Sequence, residues 1–123
     1  MKIGQVASAA GVSVDTVRFY ERCGVLPAPP RTAAGYRVYT GASVRRIRLA
    51  RRLRRLGLTL DEVTGALHAR DAGNASCAGE RWRLEAVLGR IDTKIAELER
   101  LRGEVRSVLA ACDTGRCELT GPR

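Results

Sequence analysis

Apolar residues recur along this chain first at helical spacing and later at heptad spacing, with one short alternating stretch between them. Val6, Ala7 and Ala10 share one face of residues 3–11, a segment of about two helical turns that stops at a glycine able to take the left-handed turn that ends helices. Ser13 then offers its hydroxyl as the N-cap of a second helix, running to about Arg22, with Val14, Val17 and Phe19 as its apolar members. Helix, glycine turn and helix predict a helix-turn-helix whose second helix displays Thr16 and Arg18. Gly24-Val-Leu-Pro-Ala-Pro-Pro30 breaks that helix, and Tyr36-Arg-Val-Tyr39 alternates and is rich in strand formers, so a small hairpin or wing is expected there. Val44, Ile47, Leu49 or Ala50, Leu53 and Leu56 mark one side of a basic helix over about 41–56. Thr59-Leu-Asp-Glu62 is a capping box that starts another at Leu60, running to about Ala69.

Beyond a linker at 71–80, the pattern changes. Leu84, Leu88, Ile91, Ile95, Leu98, Val105 and Leu109 alternate in steps of four and three, with Arg102 as the one polar interruption. Nearly four heptads of this kind predict a coiled-coil helix over 81–111, followed by a loop and tail at 112–123. A helix of about 30 residues is roughly 45 Å long, and the rest of so short a chain cannot cover its stripe. A second copy must cover it, which predicts a homodimer. The fold class expected is mainly α: a winged helix-turn-helix domain over 1–70, which the charge below marks as DNA-binding, then a long coiled-coil dimerisation helix, which the cysteine register below makes antiparallel.

Charge assigns different work to the two halves. The net charge of +9 arises from 22 basic and 13 acidic residues, and all but Lys2 and Lys94 of the basic ones are arginine. Residues 1–60 hold twelve basic and two acidic side chains (+10), and 61–123 hold ten and eleven (−1). The first half thus expects a polyanion, with nucleic acid the first candidate. No run approaches the roughly 18 apolar residues of a membrane span, and the N-terminus lacks the apolar stretch of a secretory signal, so no membrane partner and a cytoplasmic location are expected. No nucleophile and base pair, phosphate loop or paired catalytic carboxylates occur, which argues against an enzyme.

In a reducing compartment, Cys77, Cys112 and Cys117 are more naturally thiols or metal ligands than structural disulfides. Cys77 and Cys112 fall on the heptad phase of the seam but lie 35 residues apart, roughly 52 Å along a continuous helix, so one chain cannot bring them together. In an antiparallel dimer, opposing Cys77 to Cys112 pairs Leu84 with Val105, Leu88 with Leu101 and Ile91 with Leu98. Each end would then gather Cys77 from one copy and Cys112 plus Cys117 from the other, with Gly115 allowing the chain to reverse. Three thiolates suit thiophilic ions such as Hg(II), Cd(II), Pb(II), Cu(I) or Zn(II). The competing reading is a thiol-redox regulator in which Cys112 and Cys117 form a reversible disulfide. Cys23, beside a helix breaker, reads as inert packing, His68 as a capping or surface residue, and Trp82 as packing at the start of the long helix.

Thr16-Val-Arg-Phe-Tyr-Glu21, Gly24-Val-Leu-Pro27, Gly35-Tyr-Arg-Val-Tyr39 and Arg55-Leu-Gly-Leu-Thr-Leu-Asp-Glu62 resemble, in order and spacing, the MerR family of transcriptional regulators. The long helix and cysteine loop resemble that family's metal-sensing branch. The resemblance implies a homodimer that binds promoter DNA and, with metal bound, distorts it for RNA polymerase. It implies that Arg18 reads bases and that Ser13, Thr16, Tyr20, Arg31, Tyr36, Arg37 and Arg54 hold phosphates or position the heads. It also implies a divalent effector, from a cysteine just before the long helix, and Hg(II) above Cd(II), Pb(II) or Zn(II), from a three-sulfur set with few other ligands. The loop departs from the family in having only four residues between Cys112 and Cys117 and no Pro-Ile or Pro-Leu pair after them.

Overall fold

The computed structural model describes residues 1–73, 75–116 and 119. Among them the chain forms helices α1 (Ile3–Ala10), α2 (Val14–Arg22), α3 (Gly41–Arg55), α4 (Leu60–Asp71) and α5 (Cys77–Asp113). It divides into two compact units, Met1–Arg83 and Leu84–Arg123.

In the first unit, α1 ends in a Schellman motif. Gly11 sits at φ 71°, Gly11 N–H donates to the Ser8 carbonyl at 3.2 Å, and Val12 N–H donates to Ala7 at 2.9 Å. Two of the four carbonyls left open at the helix end are closed this way. The other two take arginines from α3: Arg48 donates to the Ala9 carbonyl at 2.7 Å and Arg51 to Ala10 at 3.0 Å. Arg51 lies so near the turn that a Cβ on residue 11 would meet its Nη1 at 3.3 Å.

The core is largely aliphatic, with Tyr20 and Tyr39 as its buried aromatic residues. Val6, Ala7 and Ala10 of α1, Val17 of α2, Val44, Ile47 and Ala50 of α3, and Val63 and Leu67 of α4 are buried, together with Val25, Leu26 and Leu58 from the connections. Thr59 and Glu62 form the expected capping box, Glu62 N–H donating to Thr59 Oγ1 at 3.2 Å and Thr59 N–H to Glu62 Oε1 at 2.9 Å.

Two extents differ from the sequence expectation. The expected hairpin is a single antiparallel bridge, Arg31 to Arg37, closed by a turn at 32–35; the described residues contain no strand. Pro27, Pro29 and Pro30 have no N–H with which to extend a ladder. Tyr39 turns away to pair with the N-terminus, its N–H donating to the Met1 carbonyl and the Met1 ammonium to the Tyr39 carbonyl, both at 2.8 Å. Helix α5 is 37 residues long and starts at Cys77, inside the expected 71–80 linker, while α4 runs on to Asp71. Ser76 accounts for the early start, since its hydroxyl accepts the Gly79 N–H at 2.9 Å as an N-cap does.

Along α5, Leu84, Leu88, Ile91, Ile95, Leu98, Leu101, Val105 and Leu109 are all exposed, between 43 and 58 %. No helix of the described residues is long and apolar enough to cross a membrane.

One ion pair joins α3 to the end of α4. Arg46 grips Asp71 with both terminal nitrogens, at 2.7 and 2.8 Å, while its Nε donates to the Val25 carbonyl. These hydrogen bonds hold the Asp71 carboxyl below its ordinary value of 3.8. A depressed carboxyl stabilises the fold above the ordinary value, and the contribution is lost as pH falls through the lower folded value. Asp71 is half exposed, so solvent screening keeps the contribution modest. Asp71→Asn is expected to lower stability at pH 7 by about 1 kcal/mol or less and to flatten the fall in stability below the ordinary carboxylate range, as read by urea unfolding at a series of pH values.

Candidate nucleic-acid interface and thiol positions

Helix α2 starts where Ser13 caps it: Thr16 N–H donates to Ser13 Oγ at 3.1 Å, and the two hydroxyls lie 2.8 Å apart. Both proposed hydroxyl contacts thus begin as parts of the cap, Ser13 exposed and Thr16 half-buried. Arg18 stands out from the helix with its side chain 54 % exposed, and Asp15, 3.9 Å away and almost fully exposed, is a weak partner. Its cation remains available to a nucleic acid.

Arg18, Lys2, Arg31 and Arg37 line a cleft of about 410 Å³ beside Tyr36 and Tyr39. Four cations from α2, the N-terminus and the 31–37 loop therefore converge. Arg31 also donates to the Gly35 carbonyl at 3.1 Å, which braces the turn that presents Tyr36, 70 % exposed. Such a cleft fits a chain of phosphates, which backbone-binding cations and hydroxyls hold without reading sequence.

Two other sequence candidates have different surroundings. Tyr20 is 8 % exposed and belongs to the core of the unit. Arg54 donates to the Leu58 carbonyl at 3.0 Å across the turn after α3. Sequence reasoning missed Glu21, which bonds two residues that line the cleft: Oε2 accepts from Arg37 at 2.8 Å and Oε1 from the Tyr39 hydroxyl. Burial, then the hydrogen bond to Glu21, raises the Tyr39 hydroxyl above its ordinary value, so it remains a donor at neutral pH. The available signal was that only Asp15 and Glu21 are acidic in the first 60 residues.

Cys77 is an exposed free thiol at the first residue of α5, and Cys23, half-buried, is also free. Cys112, half-buried in the last turn of α5, is disulfide-bonded rather than a thiol. After it Gly115 takes φ 77° and Arg116 N–H donates to the Ala111 carbonyl at 2.7 Å, a left-handed turn that closes the end of α5. Cys117, the third expected sulfur, lies outside the described residues. Among the described residues no three His, Cys, Asp or Glu side chains gather into a metal site. His68 is exposed in the last turn of α4, and Trp82 is 55 % exposed with the Arg83 guanidinium 4.4 Å above its ring instead of being packed away.

The family model for MerR HTH family regulatory proteins matches residues 1–70, and the model for MerR DNA binding matches 44–108. The chain belongs to the MerR family. It is a DNA-binding transcriptional regulator and not an enzyme. Among its MerR-family relatives, the mercuric resistance operon regulatory protein of Pseudomonas fluorescens is 34 % identical, covering 99 % of this chain and 83 % of that one. The transcriptional regulator ZntR of Escherichia coli K12 is 30 % identical over 90 % of this chain and 79 % of its own. The crystal structure of the transcription regulator PbrR691 from Ralstonia metallidurans CH34 in complex with lead(II) matches with a TM-score of 0.82 at 33 % identity, covering 90 % of this chain and 87 % of that one.

Within this MerR-family head, Arg18 and the loop cations have separable roles to test. Arg18→Ala is expected to cost about 1–3 kcal/mol of discrimination at one base pair, whereas Arg31→Ala should weaken all sequences alike and reduce the salt dependence of binding by about one phosphate contact. Operator titrations at several salt concentrations, with substituted and unsubstituted duplexes, check both.

Proposed function

We propose that the chain is a metal-responsive transcriptional regulator that binds promoter DNA as a homodimer and activates transcription, through distortion of the DNA, when Hg(II) binds. The observation that carries this reading is the apolar stripe of α5, solvent-exposed along its length, with Cys77 and Cys112 on its heptad phase at either end. Seven large apolar side chains on one heptad stripe, with Leu101 beside it, exceed what a lone soluble helix normally leaves in water. An antiparallel partner helix covers that stripe and brings Cys77 of one copy to Cys112 and Cys117 of the other.

The donor set fits a thiophilic effector. With Cys112 and Cys117 reduced, three thiolates would hold Hg(II), and Asp113 is the one carboxylate between Cys77's counterpart sulfurs in the 112–117 loop. Cd(II), Pb(II) and Zn(II) are the alternatives, and the names of the relatives span mercury resistance and a lead(II) complex. Arg18 would read bases, while Ser13, Thr16, Arg31, Tyr36 and Arg37 would hold backbone phosphates. Tyr20 and Arg54 would act by positioning the head, one through the core and the other through the turn before α4. RNA polymerase would then engage the promoter in the altered geometry.

The disulfide at Cys112 favours a second reading, a regulator switched by reversible thiol oxidation. This reading uses Cys112 and Cys117 and leaves Cys77 on the seam without a task.

Anaerobic titration of the fully reduced protein with Hg(II) is expected to develop thiolate-to-mercury absorption in the ultraviolet, saturating at one ion per chain and outcompeting Cd(II), Pb(II) and Zn(II). Cys77→Ser should abolish the metal response of transcription and leave promoter binding intact. Absence of the absorption, with a transcriptional response that follows peroxide and a bond between residues 112 and 117 seen by mass spectrometry, would establish the redox reading in its place.

A further inference from the structure

The DNA-facing half of the chain carries two acids, and they are treated differently. Asp15 is 93 % exposed at its side chain, whereas the Glu21 side chain is 11 % exposed. Glu21 sits one helical turn beyond Arg18 on α2, and both carboxylate oxygens are engaged. One accepts from the hydroxyl of Tyr39, whose residue is 2 % exposed and whose backbone pairs with Met1. The other accepts from Arg37, whose side chain is 40 % exposed and which forms one side of the Arg31 to Arg37 bridge. The carboxylate therefore connects α2, the loop and a buried anchor through one group.

An acid paired with a cation of that cleft is an electrostatic liability against a polyanion unless it does something the cations need. We propose that Glu21 is a positioning residue for DNA binding, holding the Arg37 guanidinium at a fixed offset from Arg18 so that loop and helix meet the DNA backbone in one register. The inference rests on the reading above that Arg37 holds a phosphate. A guanidinium has five N–H donors in a planar fork, so a carboxylate can grip one edge while a phosphate takes the other. Without the grip, the bridge alone fixes the backbone of residue 37, and the side chain must be ordered during association. The Tyr39 hydroxyl completes the device by fixing the carboxylate itself.

The test uses the sign of the effect. If Glu21 only repels phosphate, Glu21→Gln raises affinity for DNA, because a negative charge has been removed from the interface. If it positions Arg37, affinity falls despite the favourable change in charge, by about three- to tenfold, the range for ordering one long side chain on binding. The measurement is fluorescence anisotropy of the full chain with a duplex carrying its own promoter region, for the wild type, Glu21→Gln, Arg37→Ala and the double variant. The loss caused by Glu21→Gln should vanish in the Arg37→Ala background. Thermal unfolding of each variant checks that the head is intact. Tyr39→Phe, nearly isosteric, should show a smaller loss that also vanishes with Arg37→Ala, and it stands in if Glu21→Gln does not fold. Unchanged or raised affinity on Glu21→Gln, or an equal loss with and without Arg37, overturns the proposal. Failure of the wild type to bind the duplex, or an Arg37→Ala variant that binds like the wild type, instead removes the reading beneath it.

Discussion

The head depends on closing the C-terminal end of α1. A helix leaves its last four carbonyls without partners, and here each finds one: the turn after Gly11 serves Ala7 and Ser8, and α3 reaches across to serve Ala9 and Ala10 through Arg48 and Arg51. The same contacts place positive charge at the negative end of the α1 dipole. Because the turn that needs these donors is also the turn of the helix-turn-helix, the direction in which α2 leaves it is fixed together with the α1 and α3 packing. Hydrogen bonds from charged donors are strongest where they are shielded from water; the Arg51 bond is part-buried and the Arg48 bond exposed, so of the two the Arg51 bond contributes more.

This changes what the arginine surplus means. Arg46, Arg48, Arg51 and Arg54 each donate to a backbone carbonyl, at Val25, Ala9, Ala10 and Leu58. Part of the charge that points to a polyanion is therefore also the internal bracing of the unit. The cations of the cleft, Lys2, Arg18, Arg31 and Arg37, belong to the N-terminus, α2 and the loop. The bracing of α3 and the cations of the cleft thus come mostly from different elements, with Arg31 in both groups because it also donates to the Gly35 carbonyl of its own turn.

The helices were legible because their signals are local. The Ser13 cap, the glycine after α1, and the reciprocal bonds of Thr59 and Glu62 are all settled by residues within a few positions of one another. The 31–37 loop was not, because Tyr36-Arg-Val-Tyr39 has the composition of a strand but lacks a partner able to pair along it. Tyr20 and Arg54 were harder still: whether a tyrosine faces the core, or an arginine faces a carbonyl, depends on neighbours distant in sequence. Glu21 could be noticed as a rare acid, but its use required the placement of Arg37 and Tyr39. The stripe on α5 was plain from the heptad spacing, since exposure along one continuous helix follows directly from which residues repeat.

That stripe has a consequence for how much of the protein is present. A surface that is covered only by association makes folding a reaction of higher order in the chain. If the second copy supplies the cover, the apparent melting temperature and the half-saturation of the promoter both shift with total protein. A cell holding few molecules then sets not only how many promoters are occupied but how long each chain survives between encounters.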